Sequence, residues 1–341
     1  MVRHVLQCVP MRRALVLLIA VVAAACGSSP DTDLSTKEVT ATCTRAALVA
    51  AGYKGQSLAA KKLALTFDDG PGGRTIELSQ YLKSEGIKAA FFVNGNHVME
   101  RPILAQLIVD GHIVGNHTQD HADLTQVPAG AAGDATIVKE LSDTDVLITP
   151  FVQNARFLFR APYGAFNARD FAAIQASPMS KYVGHVGWDI GEARTDIAAA
   201  DWACWQNAPK LTTKACGDLY MQEIEKVGRG IILMHDQDYG NSANQNLNAG
   251  VGNTVDMVKY LVPQLKAKGY TFARVDEVPD IDKAWPKPPD PKKPEEPKKT
   301  DPPAEQPVAP ATPTTPPTPA PPATNDPCAT PPASTRHDHA H

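Results

Sequence analysis

Two adjacent carboxylates, Asp68 and Asp69, close the apolar run 63–67 and are followed at once by Gly70-Pro71. The run reads as a buried strand and Gly70-Pro71 as its stop. Paired carboxylates at a strand end repel unless something cationic sits beside them. Downstream, His117 and His121 complete a set of two histidines and one carboxylate with Asp69. Residues four apart share a face if the segment is helical. Imidazole plus carboxylate suits zinc, and also cobalt, nickel or iron. Three protein ligands leave positions for water and substrate, the catalytic form of such a site. Non-haem iron oxygenases use the same ligands, so these alone leave the chemistry open.

Asp68 is then the free carboxylate, placed to take a proton from an activated water. Arg160 is a candidate to hold it through a bidentate charge-assisted bond. Pro162 and Tyr163 form a tight turn whose backbone N–H could face an oxyanion; plain packing is the other reading of Tyr163. His235 ends the run 231–234 and is either a general acid or a structural histidine. Asp236 is read as the anchor of that turn. Trp188, Trp202 and Trp205 cluster near Asp189 and Asp201 and either stack on sugar rings or pack. His112 reads as surface or structural, and His97 has no assigned role.

Strand and helix patterns alternate around these residues. Strand-like runs occupy 62–67, 88–93, 113–116, 156–159, 182–188, 230–234 and 270–275. Helical periodicity marks 75–85, 103–109, 137–147, 168–176, 220–227 and 255–268. Such alternation predicts an α/β fold with about seven parallel strands, closed into a distorted (β/α) barrel or left doubly wound. Asp68, Asp69, His117, Arg160, Asp189 and His235 each follow a strand directly. In α/β barrels that face carries the chemistry.

Less than the whole chain of 341 residues is domain. Met11-Arg12-Arg13, an apolar run over 14–25 and Ala23-Ala24-Ala25-Cys26 read as a secretory signal over 1–26. Its cysteine matches a lipoprotein signal, with Cys26 as the lipidated residue. Residues 27–59 read as linker and lead-in, and 60–280 as one domain. The segment 284–341 is proline-rich: 19 of the 30 prolines fall between Pro286 and Pro332. Proline at that density favours an extended spacer. A net charge of -4 gives no basic footprint for nucleic acid. In an exported chain Cys204 and Cys216, in one loop-like region, are the expected disulfide, and closing that loop contributes about 3 kcal/mol. A pairing of Cys43 with Cys328 is the weaker expectation. The terminal His337, His339 and His341 read as a solvated end.

Thr66-Phe67-Asp68-Asp69-Gly70, His117-Thr118-Gln119-Asp120-His121, Arg160-Ala161-Pro162-Tyr163 and Leu233-Met234-His235 together resemble the ordered motifs of polysaccharide deacetylases with the NodB-homology domain, carbohydrate esterase family four. The resemblance spans about residues 60–280. It implies a distorted (β/α) barrel and a divalent metal, usually zinc, held by Asp69, His117 and His121. It also implies Asp68 as base, His235 as acid, Tyr163 as source of the oxyanion N–H and Leu233 as lining for the acetyl methyl. One motif departs: Trp188-Asp189 and Asp201-Trp202 are separated by residues 190–200. Whether Asp189 or Asp201 supports His235, and whether Trp202 walls the groove, is left open by that split.

The function so implied is an exported metal-dependent hydrolase. It would remove N-acetyl groups from an N-acetylhexosamine polysaccharide, peptidoglycan or chitin-like, by metal-activated water with an aspartate base and a histidine acid. The alternatives are an O-acetyl esterase on acetylated xylan and a non-catalytic carbohydrate-binding surface protein. The expected setting is the cell envelope or the secreted fraction. The chain would be monomeric, reach the membrane only through a lipid anchor and meet the wall through its proline-rich tail.

Overall fold

The run ending in the two carboxylates is the central strand. Leu63, Leu65 and Phe67 enter one buried cluster, while Ala64 enters a second with Phe92, Ile231 and Leu233. A strand buried on both faces belongs inside a parallel sheet covered by helices. The computed structural model describes residues 52–98, 101–192, 197, 199–237 and 253–285, all within the compact unit Met1–Lys287. The signal region with Cys26, most of the lead-in, Cys43, and the proline-rich tail with Cys328 and the terminal histidines lie outside the described residues.

In chain order the elements are β1 (Lys62–Asp68), α1 (Thr75–Ser84), β2 (Ala90–Val93), α2 (Arg101–Val109), β3 (Ile113–Asn116), α3 (Ala131–Ile148), α4 (Ala168–Gln175), α5 (Asp201–Gln206), α6 (Thr213–Val227), β4 (Gly230–His235), α7 (Thr254–Ala267), β5 (Thr271–Phe272) and α8 (Pro279–Asp282). Among the described residues every strand pairing is parallel. β4 takes one edge of β1 along its length, so that Asp68 lies level with His235. β2 and β5 share the other edge, β2 beside residues 66–68 and β5 beside residues 62–63. β3 follows beyond β2, with Asn116 level with Val93.

Five strands form among the described residues rather than about seven. The runs predicted at 156–159 and 182–188 make only isolated parallel bridges, Asn116↔Phe159 and Leu158↔Val183; Ile190↔Ile232 then returns to β4. These bridges carry the ring from β3 round to β4, which gives a distorted (β/α) barrel. At residues 186–187 the ladder lapses for a physical reason. The carbonyls of Val186 and Gly187, which a neighbouring strand would engage, accept instead from the Arg160 guanidinium at 2.8 and 3.2 Å. The last strand is also shorter than predicted, because a helical turn at Val275–Glu277 follows it closely. Among the described residues no helix is long and apolar enough to cross a membrane.

Two further expectations change. Cys204 and Cys216 do form a disulfide, but they sit in α5 and α6 rather than in a loop. The bridge fastens short α5 to α6, itself capped by the Thr212 hydroxyl and ended by left-handed Gly228. His117 and His121 are not on a helical turn: the chain is irregular between β3 and the turn at Leu124–Gln126.

Candidate active site

β1 ends at Asp68, and the next residue turns sharply, with Asp69 at φ 67°. Thr118 (φ 67°), His121 (φ 56°) and Tyr163 (φ 59°) are also left-handed. Such backbone costs on the order of 1–3 kcal/mol per residue and persists only where surroundings enforce it. Here Asp69, His121 and Tyr163 line one cleft, and Thr118 lies between the two histidines. Buried asparagines enforce the turns. Asn116 accepts from the Thr118 N–H at 2.9 Å, and Asn94 donates to the His117 carbonyl at 2.7 Å. His97 donates from Nδ1 to the Asp69 carbonyl at 2.6 Å.

Asp69 Oδ1 lies 3.3 Å from His117 Nε2 and 3.1 Å from His121 Nε2, and one ligand atom from each of the three falls within 4.8 Å of the others. Two ligands about 2.05 Å from a tetrahedral zinc are about 3.3 Å apart, so the set fits such an ion. The tautomer agrees. His117 donates from Nδ1 to the Arg160 carbonyl at 2.8 Å, which leaves Nε2 as the lone-pair atom. Burial raises the Asp69 pKa, but the hydrogen bond to His117 and the charges of His117, His235 and His121 outweigh it; the carboxyl lies well below its usual range. Burial depresses His117, yet Asp68 and Asp69 carry it upward. Burial dominates at His121 and leaves it lowered.

Asp68 Oδ1 accepts from Arg160 Nη1 at 2.7 Å, and its Oδ2 lies 3.7 Å from His117 Nε2. The predicted bidentate clasp does not form. The same Nη1 donates to Thr66 Oγ1 at 2.8 Å, and the rest of the fork is spent on Val186 and Gly187. Nor is this a surface pair: Arg160 is fully buried, with its guanidinium 4.4 Å from the Phe92 ring centre and 5.6 Å from that of Trp188. Burial lowers the Arg160 pKa, with Asp68 opposing.

The split motif resolves toward Asp201. Its Oδ1 accepts from His235 Nδ1 at 2.8 Å and its Oδ2 from the His235 backbone N–H at 2.8 Å. Thr254 Oγ1 donates to the same Oδ2, and the Asp201 N–H reaches the Tyr220 hydroxyl. Burial works against a charged imidazole, but Asp201, then Asp69 and Asp68, push His235 up to about 10. Asp189 serves elsewhere: it accepts from the N–H groups of Gly55 and Ile231 and from the Gln56 amide. That fastens the lead-in to the start of β4, away from its His235 end, so Asp189 neither supports His235 nor faces the cleft.

The cleft encloses about 820 Å³ and is lined by Asp68, Asp69, His117, His121, His235 and Trp202, among others. Leu233 and Tyr163 line it too. Leu233 is buried, while Tyr163 is 65% exposed, a rim residue with its ring edge-on to His121 at 4.5 Å. Pro162 is buried in the turn below. Trp205 is turned inward, donating to Thr254 Oγ1. Asp236 is buried and accepts from the Thr75 hydroxyl, which in turn accepts from the Gly72 N–H; this ties the loop after Asp69 to the end of β4. A Cβ on Gly70 would collide with Asp236. His112 is buried between the Ala89 N–H and the Ser79 carbonyl, a structural histidine.

Sequence reasoning missed His97 and Glu192. His97 lies four residues beyond the end of β2, too far from it to read as a strand-end residue. Glu192 lies inside the split motif: its Oε1 accepts from Trp202 Nε1 at 3.1 Å and sits 3.8 Å from His235 Nε2.

Residues 55–180 match the family model described as polysaccharide deacetylase. Among curated relatives, the peptidoglycan-N-acetylglucosamine deacetylase of Listeria monocytogenes is 28% identical over 222 residues, 64% of this chain and 39% of that protein. A chitin deacetylase of Pestalotiopsis sp is 35% identical over 109 residues, 31% of this chain and 35% of that protein. The chain thus spans well under half the length of both. A crystal structure of a peptidoglycan N-acetylglucosamine deacetylase superposes with a TM-score of 0.51 at 22% identity, covering 67% of this chain and 91% of that one, a likeness of fold.

Proposed function

We propose that this chain, a member of the polysaccharide deacetylase family, is a metal-dependent hydrolase that removes N-acetyl groups from an N-acetylhexosamine polysaccharide. The observation that carries the reading is the convergence on one cleft of the Asp69, His117 and His121 ligand atoms, the Arg160-held Asp68 and the Asp201-held His235.

Asp69, His117 and His121 would hold the cation, with zinc as the first choice and cobalt or nickel as substitutes. Bound there, a dication supplies Lewis acidity and lowers the pKa of a water. The remaining work falls to the protein's own groups. Asp68 accepts the water's proton at Oδ2, because Oδ1 is engaged by Arg160. The buried guanidinium fixes its aim. His235 gives a proton from Nε2 to the leaving nitrogen, because its Nδ1–H is committed to Asp201. The turn at Tyr163 offers its N–H to the developing oxyanion, and Leu233 receives the acetyl methyl. Trp202 forms a wall against which a sugar ring stacks.

Peptidoglycan is the favoured polymer and chitin oligosaccharide the second. Export through the 1–26 signal, a lipid on Cys26, wall contact through the proline-rich tail and a monomeric state complete the proposal; these rest on sequence. The test is acetate release by the full chain loaded with zinc and offered peptidoglycan, chitin pentaose and acetylxylan. Release from one N-acetyl polymer that falls about 10²- to 10⁴-fold in Asp68→Asn is the expected result. Full activity in that variant would remove Asp68 as base. Release from acetylxylan alone would turn the reading to an O-esterase, and none from any polymer would favour a binding protein.

A further inference from the structure

Glu192 follows the bridge residue Ile190 by two positions and is left-handed at φ 53°. Its carboxylate lines the cleft. Its Oε1 accepts from Trp202 Nε1 at 3.1 Å, which fixes its position, and lies 3.8 Å from His235 Nε2. That separation is too long for a direct hydrogen bond. It is also the span across which one further polar atom, about 2.9 Å from each, closes a triangle. The atom due beside His235 Nε2 is the one that receives its proton.

We propose that Glu192 is a specificity-determining residue that binds the nitrogen cation formed at the leaving group, and so favours N-acetyl over O-acetyl substrates. The inference rests on the hydrolase reading above. In that reaction the water oxygen bonds to the acetyl carbon, and its proton goes to Asp68. The amide nitrogen takes a proton from His235 Nε2 and bears two hydrogens and a positive charge until the C–N bond breaks. Acetate leaves. The sugar amine then takes up the proton held by Asp68, ending as an ammonium. A carboxylate beside that nitrogen stabilises both the cationic stage and the product. An ester's leaving group ends as a neutral hydroxyl and offers the carboxylate no cation. Asp201 cannot supply this interaction, because it is buried behind the ring on the Nδ1 side.

The test uses Glu192→Gln in the full chain, where the amide oxygen can still accept from Trp202. First, a glucosamine oligomer and an N-acetylglucosamine oligomer are titrated calorimetrically into metal-free and zinc-loaded protein. The expected result is about tenfold weaker binding of the glucosamine oligomer by the variant, diminishing with salt, and unchanged binding of the acetylated one. Second, kcat/KM should fall about tenfold on the N-acetyl polymer and stay within about twofold on an O-acetyl ester. Equal loss on both oligomers or both substrates would overturn the proposal, leaving Glu192 as a brace for Trp202; no change in either would overturn it as well. If the wild-type chain released no acetate but bound glucosamine oligomer through Glu192, the hydrolase reading would fail while the ammonium site stood.

Discussion

Asp201 grips His235 twice, taking the ring Nδ1–H on one carboxylate oxygen and the backbone N–H on the other, both at 2.8 Å. The two residues are 34 apart in sequence, and the pairing fixes both the tautomer and the direction of the imidazole. An acid raised to about 10 stays protonated through neutral pH. Activity requiring that proton is therefore retained below this value and lost as pH rises through it. A dication on Asp69 would pull the value down from there. Asp201→Asn removes the main upward influence, so the alkaline limb of the pH–rate profile moves toward acid and kcat falls by about 10²-fold or more. An unmoved limb would take His235 out of the acid role.

Arg160 and Asp68 form a fully buried ion pair. Removing one partner of such a pair costs about 3–5 kcal/mol, since the other charge is left uncompensated. Arg160→Met should lower the urea midpoint accordingly. Arg160→Lys should recover little, because one ammonium cannot reach Thr66, Asp68, Val186 and Gly187 together.

His121 is the most exposed of the Asp69, His117 and His121 set. His121→Ala should weaken zinc binding by more than the about 10- to 100-fold that follows from loss of a supporting partner. Chelator competition measures this directly. An unchanged affinity would place the ion elsewhere.

Asp236 is buried, and burial lifts its carboxyl to about 7 despite the Thr75 hydrogen bond. A carboxyl raised above its unfolded value stabilises fully below about pH 4, and that contribution is lost as pH climbs through about 7. Metal-free protein should thus melt lower at pH 8 than at pH 5. Asp236→Asn should flatten that difference, which thermal melts at the two pH values would reveal.

The disulfide closes a span of 12 residues between α5 and α6. Reduction should cost about 3 kcal/mol of unfolding free energy. Because α5 begins at Asp201, reduction should also loosen the grip on His235 and lower kcat. Denaturation and turnover with and without a thiol reductant test both effects.

Much of this site was legible in one dimension because its cause is local. A run buried on both faces must stop somewhere, and carboxylates at the stop of β1 announce a polar strand end. The spacing of later strand-like runs placed His117, Arg160 and His235 at comparable ends. Those features follow from hydrophobic periodicity and turn chemistry, which the chain carries residue by residue. Tertiary structure decided whatever depends on pairing across long separations. It chose Asp201 over Asp189, because the bridge of Ile190 to Ile232 sets Asp189 against the start of β4 and leaves the His235 end to α5. It cut short the ladder of the run at 182–188, because Arg160 takes the Val186 and Gly187 carbonyls a neighbour would use. It carried His121 back toward His117 through left-handed backbone rather than a helical turn, and it brought Glu192 to His235 across the split motif. Sequence order records which groups exist; the distances between their polar atoms arise only when register and buried hydrogen bonds close the chain on itself.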